Sequence, residues 1–136
     1  MAGAVTPPHA LPDDIRGERV RLVAEAGGAG ATYGIVRLRD GARVGALRLA
    51  AAGSTLVIEA LCIDGRERGY GCGSDAAWAL AGAAEVAGFQ RLRAWAPGEL
   101  GLAVYFWIRH GFRPLFGPGP DEGIWFERML APPERT

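Results

Sequence analysis

The chain contains the stretch Arg66-Glu67-Arg68-Gly69-Tyr70-Gly71-Cys72-Gly73-Ser74, which joins an apolar segment over 56–63 to an Ala-rich segment that follows it. The apolar segment predicts a buried strand and the Ala-rich segment predicts a helix, so the local order is strand, glycine loop, helix. A loop of this kind presents free backbone N–H groups at the positive end of the helix, and its glycines carry no Cβ to keep an anion away. Arg66 and Arg68 add charged donors beside it. The stretch therefore predicts a cradle for phosphate or pyrophosphate, and with it a nucleotide-like cofactor.

Composition limits the class of protein. The 136 residues suffice for one domain with a core and are too few for two, and a hydrophobic content of 49% indicates a folded globular chain. The formal net charge is zero, which removes the electrostatic argument for binding nucleic acid or a membrane surface. The sequence contains no lysine, so a Walker-type phosphate loop, which ends in Gly-Lys-Ser/Thr, is excluded.

The chain has only two cysteines, Cys62 and Cys72. Two thiols cannot build a disulfide framework or a four-ligand zinc site, so both are predicted to be small buried residues of a cytosolic protein, and no metal site is expected. The N-terminal segment lacks a basic start followed by an apolar run, and no apolar run approaches membrane-spanning length. These features predict a soluble, cytoplasmic protein.

Residue periodicity predicts six to seven strands and two main helices. Strands are predicted over 18–24, 33–39, 43–49, 55–63, 90–96, 112–116 and 124–130, and helices over 74–87 and 100–110. The early hairpins imply antiparallel pairing, and the later strand-helix-strand unit implies one parallel crossover. The predicted fold is therefore α+β, with a single mixed, mostly antiparallel sheet. Residues 1–15 are predicted to form a loose leader, 16–131 the domain, and 132–136 a disordered tail.

A dinucleotide-binding site is the first alternative for the glycine loop. The segment Gly71-Cys72-Gly73-Ser74-Asp75-Ala76 matches G-x-G-x-x-A, but that motif should open a repeated βαβ sheet whose next strand ends in an acidic residue. Here the next predicted strand ends in Trp95-Ala96-Pro97, and the chain before the loop is a meander. The pattern disfavours a dinucleotide fold.

The loop resembles the acyl-CoA signature of GNAT-type N-acetyltransferases, (Gln/Arg)-x-x-Gly-x-(Gly/Ala), which here reads Arg66-Glu67-Arg68-Gly69-Tyr70-Gly71. Segment 56–63 stands where the family's fourth strand would be, 103–112 with its ending His110-Gly111-Phe112 is similar to the late helix, and 124–130 is similar to the closing strand. With 18–22 as a first strand, the resemblance covers most of 16–130. It implies the acyl-CoA N-acyltransferase fold, acetyl-CoA or another acyl-CoA as cofactor, and an amine as acceptor.

The resemblance also implies where the cofactor binds. In that family the fourth and fifth strands splay apart and the pantetheine arm lies between them. Main-chain groups of 61–63 would meet the pantetheine, and N–H groups of 68–74 would hold the pyrophosphate, with Arg66 beside them. The implied cofactor-binding residues are Leu61, Cys62, Ile63, Arg66, Glu67, Arg68, Gly69, Tyr70, Gly71, Cys72, Gly73 and Ser74.

The sequence departs from the family pattern in three places. Only 24–32 separates the first two predicted strands, where the family places two helices that wall the acceptor pocket, so the acceptor side would be open or covered by a second subunit in a homodimer. The late helix carries Trp107 where the family has a Tyr that protonates the leaving thiolate, and indole cannot do this. Ser74 and Asp75 replace aliphatic residues and are expected to accept hydrogen bonds from the helix's first-turn N–H groups.

Two side chains are candidates for catalysis. Glu59 is the only acid in the apolar segment 56–63, and it could take the proton that an attacking amine must lose; the alternative is a solvent-exposed acid on the sheet. Tyr105 could protonate the thiolate only if the late helix were rotated, since two residues turn a helix by about 200°. His110, at the end of that helix, is predicted to cap it.

Three functions follow from the sequence. The first is an acyl-CoA-dependent N-acyltransferase. The second is a non-catalytic domain that binds acyl-CoA for regulation or assembly, which the missing helices and Trp107 motivate. The third is a small interaction domain without a cofactor, in which the glycine loop would be closed and Arg66 would point to solvent.

Overall fold

A computed structural model describes residues 11–25, 31–67, 71–96, 101–115 and 123–130. Most of the predicted leader and all of the predicted tail lie outside these residues. The described strands are β1 (Asp14–Arg16), β2 (Val20–Glu25), β3 (Ala31–Arg37), β4 (Arg43–Ala52), β5 (Thr55–Ile63), β6 (Arg91–Ala96), β7 (Arg113–Pro114) and β8 (Ile124–Met129). The described helices are α1 (Cys72–Ala87) and α2 (Gly101–Arg109), and a single 3-10 turn, Gly65–Glu67, follows β5. In this part of the chain no helix has the length and apolar character needed to cross a membrane.

The strands form one sheet in the order β1-β2-β3-β4-β5-β6-β8-β7. Every neighbouring pair is antiparallel except β5 and β6, which are parallel and are joined through α1. The predicted mixed, mostly antiparallel sheet with two helices is confirmed. The additional strand is β1, which lies at the end of the predicted leader and is too short for an alternating pattern to reveal it.

Glycines shape the β3–β4 turn and the end of α1. Gly41 follows Asp40 in the β3–β4 turn with φ of 74°, and Asp40 accepts the Ala42 N–H at 3.1 Å. Gly88 ends α1 with φ of 97° and donates its N–H toward the last carbonyls of the helix. Both backbone conformations are left-handed, which explains glycine at each position.

Both helices lie on one face of the sheet. The ring centres of Trp78 in α1 and His110 at the end of α2 are 5.5 Å apart, and a Cβ at Gly73 in α1 would lie 3.6 Å from Phe106 in α2. The aliphatic and aromatic side chains between helices and strands are buried: Val20, Leu22, Ile35, Leu47, Leu49, Leu56, Ile58, Leu80, Leu92 and Phe126. This helix-covered face holds the hydrophobic core.

Strand residues between these buried positions point to the opposite face, because side chains alternate along a strand. They form ion pairs between strands: Asp14–Arg21 at 2.7 Å, Glu25–Arg43 at 2.8 Å, Arg48–Glu59 at 3.3 Å and Arg93–Glu127 at 2.9 Å. None of the helices in the described part of the chain lies over this side. We call it the ion-paired face.

Candidate functional site

A gap opens between the two parallel strands at the centre of the sheet. β5 and β6 pair from Thr55 opposite Arg91 to Ile58 opposite Ala94, and the pairing ends there. β5 nevertheless continues for five residues to Ile63 and β6 for two. Within the described part of the chain, no strand therefore pairs with the second half of β5 on the β6 side.

A bulge marks the point where the two strands separate. Arg48 of β4 lies opposite Ala60 and Leu49 lies opposite Ile58, so Glu59 is an extra residue in β5 without a counterpart in β4. A bulge bends its strand and increases the local twist. The strand thus turns away from β6 immediately after the last paired residue.

The orientation of the backbone along β5 follows from a hydrogen bond just beyond its end. Asp64 donates its N–H to the carbonyl of Val44 at 2.8 Å. Because N–H groups alternate in direction along a strand, the main-chain groups of Leu61 and Ile63 point toward the gap.

The two cysteines differ in exposure. Cys62, between Leu61 and Ile63, is exposed, so the prediction that it is buried is wrong, whereas Cys72 at the start of α1 is buried as predicted. Cys62 pairs with Ala46 and shares its position on the ion-paired face.

The first turn of α1 begins beside this gap. Gly71 precedes the helix with φ of 83°, and among the residues that the structure describes no side chain makes a capping hydrogen bond at this end. The first N–H to bond within the helix belongs to Asp75, which reaches the Gly71 carbonyl at 3.0 Å, so the N–H groups of 72–74 have no acceptor inside the helix. A Cβ at Gly73 would lie 3.4 Å from Ile63, which places the helix start against the end of β5. The residues Arg68, Gly69 and Tyr70 of the predicted loop lie outside the described residues.

Asp75 connects this helix start to the beginning of β2. Its carboxylate accepts the backbone N–H groups of Glu18 at 3.1 Å, Arg19 at 2.8 Å and Val20 at 2.9 Å. The prediction that Asp75 caps its own helix is wrong, because the three N–H groups of a neighbouring turn occupy it. One consequence is that the first-turn N–H groups of α1 are left for another acceptor.

A cleft of about 940 Å³ lies on the other side of the helix start, toward β1–β4. Its charged lining comes from five arginines and two glutamates: Arg16, Arg19, Arg37, Arg39, Arg66, Glu18 and Glu67. Among the described residues, five positive and two negative side chains line this arginine cleft, and Asp40 also binds one of the arginines, Arg37. Cys72 also lines it, so the cleft is continuous with the first turn of α1.

Within the cleft, Arg37 holds two carboxylates. Its guanidinium donates to Asp40 at 2.7 and 2.9 Å and to Glu67 in the 3-10 turn. The hydrogen bonds from Arg37 hold the pKa of Asp40 well below its usual value, and Asp40 and Glu67 raise the pKa of Arg37. Through Glu67, Arg37 joins the turn that carries Arg66 to the end of β3, and cofactor binding by Glu67 stays a prediction.

Known structures place this arrangement in a recognised fold. No protein-family model matches the sequence, and no curated protein matches it. Among solved structures, the chain is similar to a GNAT family acetyltransferase from Elizabethkingia anophelis with acetyl-CoA bound, with a TM-score of 0.68 and 12% identity over 83% of this chain and 99% of that one. The chain has the GNAT fold.

Two further structures agree. An acetyltransferase from Thermus thermophilus matches with a TM-score of 0.64 and 22% identity over 74% of this chain and 64% of that one. The PaiA N-acetyltransferase from Thermoplasma acidophilum, in complex with coenzyme A, matches with a TM-score of 0.65 and 13% identity over 73% of this chain and 60% of that one. At these identities the likeness establishes the GNAT fold, and the resemblance drawn from the glycine loop is confirmed at that level.

The chain's version of the GNAT fold is short between β2 and β3. Glu25 pairs with Thr32 directly across the hairpin, and only 26–30 connects the two strands. The two helices that the resemblance implies at this point therefore have no room. The ion-paired face is the side of the sheet opposite α1 and α2, so it is accessible where Glu59 lies.

Glu59 lies on that accessible face beside the gap. Its side chain is 42% exposed and one carboxylate oxygen lies 3.3 Å from Nε of Arg48. The sequence left two interpretations of Glu59, a buried base or a solvent-exposed acid on the sheet, and the second describes this residue. Its place at the bulge still puts it next to the main-chain groups that face the gap.

Tyr105 lies on the outer surface of α2. Its side chain is 59% exposed and the guanidinium of Arg109 lies 5.8 Å from the ring centre. Trp107 is 5% exposed and packs edge-on against Phe106 and Phe112, with ring centres 4.9 Å apart in both pairs. Trp107 is thus the buried residue of the two, and proton donation by Tyr105 stays a prediction.

His110 has the capping role that the sequence predicted. Its backbone N–H reaches the carbonyls of Phe106 and Trp107, and Nδ1–H donates to the Phe106 carbonyl at 2.7 Å. The ring is buried against Phe106, with centres 4.3 Å apart. The last turn of α2 is therefore closed by a side chain that has no part in the gap.

Proposed function

We propose that the protein is an acyl-CoA-dependent N-acyltransferase that uses acetyl-CoA and an amine acceptor. The observation that carries the proposal is the gap between β5 and β6, which opens at the bulge of Glu59 and ends at an uncapped helix start. This arrangement offers main-chain hydrogen-bonding groups to an extended amide-containing chain and N–H donors to an anion. Acyl-CoA contains both, joined in that order.

The binding roles follow the geometry. The main-chain groups of Leu61 and Ile63 would bond to the amides of the pantetheine arm, as an added strand would. The N–H groups of Cys72, Gly73 and Ser74 would hold the pyrophosphate at the positive end of α1, with Arg66 adding charge. The sequence extends this set through Arg68, Gly69 and Tyr70.

Acyl transfer from a bound acyl-CoA requires few further groups of the protein. Acyl-CoA supplies a thioester, and transfer forms an amide bond as the carbon–sulfur bond breaks. A backbone N–H at the bulge would polarise the thioester carbonyl. The carboxylate of Glu59 would take the proton of the attacking amine, directly or through one water, and the departing thiolate would take a proton from water.

A calorimetric titration with acetyl-CoA and CoA tests the cofactor site. We expect dissociation constants in the micromolar range or tighter for the wild type, and no measurable heat for Gly71→Glu, because a carboxylate there would repel the pyrophosphate. Gly53→Glu is the matched control, since Gly53 also has positive φ but lies in the β4–β5 turn. Loss of binding in both variants would attribute the effect to backbone strain, and no binding by the wild type would refute the proposal.

Release of free CoA thiol in the presence of a panel of amines tests catalysis. We expect amine-dependent release that falls about 100-fold in kcat for Glu59→Gln, with unchanged acetyl-CoA affinity. Arg48→Gln removes the partner of Glu59 while keeping the carboxylate, and it should retain most of the rate.

A second function, a non-catalytic acyl-CoA-binding domain, is favoured by the position of Tyr105 away from the core side of α2 and by the ion pair that occupies Glu59. Tight binding of acyl-CoA with no thiol release for any amine in the panel would select it. Binding that weakens as the acyl chain is removed would further point to an acyl-sensing role.

A further inference from the structure

Two tryptophans lie on neighbouring strands of the ion-paired face. Trp95 of β6 and Trp125 of β8 are directly opposite each other in the antiparallel register. Trp95 follows Ala94, which is buried in the core, so its side chain points to the other side of the sheet. The preceding pair along the same two strands is Arg93 and Glu127, whose ion pair lies on that side. We call Trp95 and Trp125 the aromatic pair.

The aromatic pair borders the gap across from Glu59. The pairing of β5 with β6 ends at Ile58 opposite Ala94. Glu59 and Trp95 are therefore the first residues beyond it, one on each side of the gap. Both side chains lie on the ion-paired face, since Glu59 contacts Arg48 there. The proposed base and the aromatic pair thus flank the same opening.

The position of the Trp95 indole depends on a glycine. Gly123 immediately precedes β8, and a Cβ added to it would collide with Nε1 and Cε2 of Trp95. A glycine at such a place allows another group to approach the backbone closely. The indole therefore lies against the start of the strand that carries Trp125, and a side chain at position 123 would displace it.

The aromatic pair is not part of the hydrophobic core. Both side chains are partly exposed, whereas Trp107 is buried. The other aromatic side chains of the described residues lie in the helices or in the core: Tyr33, Trp78, Phe89, Tyr105, Phe106, Trp107, Phe112 and Phe126. A partly exposed indole can stack with an aromatic ring and attract an ammonium group to its π-face. These two rings therefore give the opening beside Glu59 a surface suited to an aromatic amine.

We infer that the aromatic pair selects the acceptor, and that the acceptor is an arylalkylamine, a primary amine on a short chain that ends in an aromatic ring. The inference rests on the proposed function. The ring would lie against the indoles of Trp95 and Trp125, and the amine would reach across the gap toward Glu59. The transfer itself is unchanged: the amine nitrogen bonds to the acyl carbon, the carbon–sulfur bond breaks, and Glu59 takes the proton.

Steady-state acetylation of two amines tests the selection. Phenethylamine and cyclohexylethylamine have the same number of carbons and the same primary amine, and only the first has an aromatic ring. We expect kcat/KM to be at least about tenfold higher for phenethylamine. Trp125→Leu should raise the KM for phenethylamine about tenfold, with kcat and the affinity for acetyl-CoA unchanged. Trp78→Leu is the matched control, because Trp78 is 52% exposed on α1 and lies on the other face of the sheet.

Gly123→Ala tests the same site without removing either ring. The added methyl group should displace the Trp95 indole, so the preference for phenethylamine over cyclohexylethylamine should fall to less than about threefold. Thermal unfolding of each variant, followed by circular dichroism, shows whether the fold is retained.

A binding measurement does not depend on turnover. The chain has four tryptophans, and their indole N–H resonances can be assigned by NMR from single Trp→Leu variants. Phenethylamine added to the protein with CoA should shift the resonances of Trp95 and Trp125 saturably. It should leave those of Trp78 and Trp107 in place, and cyclohexylethylamine should need a concentration at least about tenfold higher for the same shift.

The outcomes separate this inference from the proposed function. Equal kcat/KM for the two amines in the wild type would overturn the aromatic acceptor site and leave the acyltransferase standing. A preference that persists in both Trp125→Leu and Gly123→Ala would also overturn it. Acetylation of no amine would refute the proposed function, and the NMR titration would then decide alone: saturable shifts confined to the aromatic pair would support an arylalkylamine site, and their absence would overturn it.

Discussion

The two faces of the sheet are built from different interactions. The helix-covered face buries aliphatic side chains such as Leu22, Leu47 and Ile58, and burial of this kind contributes about 25 cal/mol per Å² of apolar surface. The ion-paired face carries charged partners on neighbouring strands, and exposed pairs of this kind contribute about 0–1 kcal/mol each. Nearly all of the sheet's stability therefore comes from the helix-covered face. The charged side chains of the ion-paired face allow that side of the sheet to remain in contact with water.

The same division separates the two ligands of the proposed reaction. The helix start that would hold the pyrophosphate belongs to α1, on the helix-covered face. Glu59 lies on the ion-paired face, beside the gap through which a thioester would be reached. The acceptor would therefore approach over a surface that no helix in the described part of the chain encloses, and a large acceptor fits such a surface as well as a small one.

Truncation of a core side chain on the helix-covered face should have the largest effect. Leu22 is 0% exposed in β2, and Leu22→Ala is expected to lower the free energy of unfolding by about 2–5 kcal/mol, because it removes buried methyl groups and leaves a cavity. Urea unfolding followed by circular dichroism measures it. A loss below about 1 kcal/mol would contradict the assignment of stability to this face.

Removal of the Asp75 carboxylate should come next. Asp75→Ala leaves three backbone N–H groups of 18–20 without their acceptor, and a loss of about 2–3 kcal/mol in the free energy of unfolding is expected. Asp75→Asn retains one oxygen acceptor and should lose less. Equal stability of the alanine variant and the wild type would show that the connection between the two elements is weak.

A double-mutant cycle on Arg48 and Glu59 should show a small coupling energy. Arg48→Ala, Glu59→Ala and the double variant are expected to change the free energy of unfolding by less than about 1 kcal/mol each, since both side chains are exposed. The coupling should diminish further in high salt. A coupling energy above about 2 kcal/mol would contradict the conclusion that the ion-paired face contributes little to stability.

The ion pair between Asp40 and Arg37 should have the smallest effect on stability, and titration of Asp40 measures it. Arg37 holds the pKa of Asp40 below its ordinary value, so the carboxylate contributes stability above the pKa of the unfolded chain and loses it only as the pH falls through the lower, folded value. Carboxyl NMR titration of the wild type should therefore show Asp40 ionised in acid where ordinary aspartates are protonated. Arg37→Gln should return the pKa toward normal, and Arg113→Gln should not move it.

The sequence was sufficient for most of the fold because the decisive signals are local. The alternation of Val20 and Leu22 with Arg21, the Asp40-Gly41 turn and the Gly88 helix end each act within a few residues. The strand β1 was missed since three residues carry no measurable periodicity. The bulge at Glu59 was missed because pairing with β4 on one side and β6 on the other determines it.

Only part of the candidate site could be predicted from the sequence. Segment 61–74 is contiguous, so its loop and flanking strand could be identified together. Arg16, Arg19, Arg37 and Arg39 were missed, because they lie on two other turns and only the sheet order brings them to the helix start. Asp75 was assigned to its own helix for the same reason: its partners are 55–57 residues away.

That separation has a consequence for how the protein folds. The Asp75 carboxylate joins the start of α1 to a turn 55–57 residues earlier in the chain, so this contact closes one of the longer loops in the molecule. Contacts of high sequence separation form late in folding, since their loop entropy must be offset by structure already in place. We therefore expect the helix start to reach its final position only after the first hairpin has formed, and the amides of both elements to be protected from hydrogen exchange as one cooperative unit.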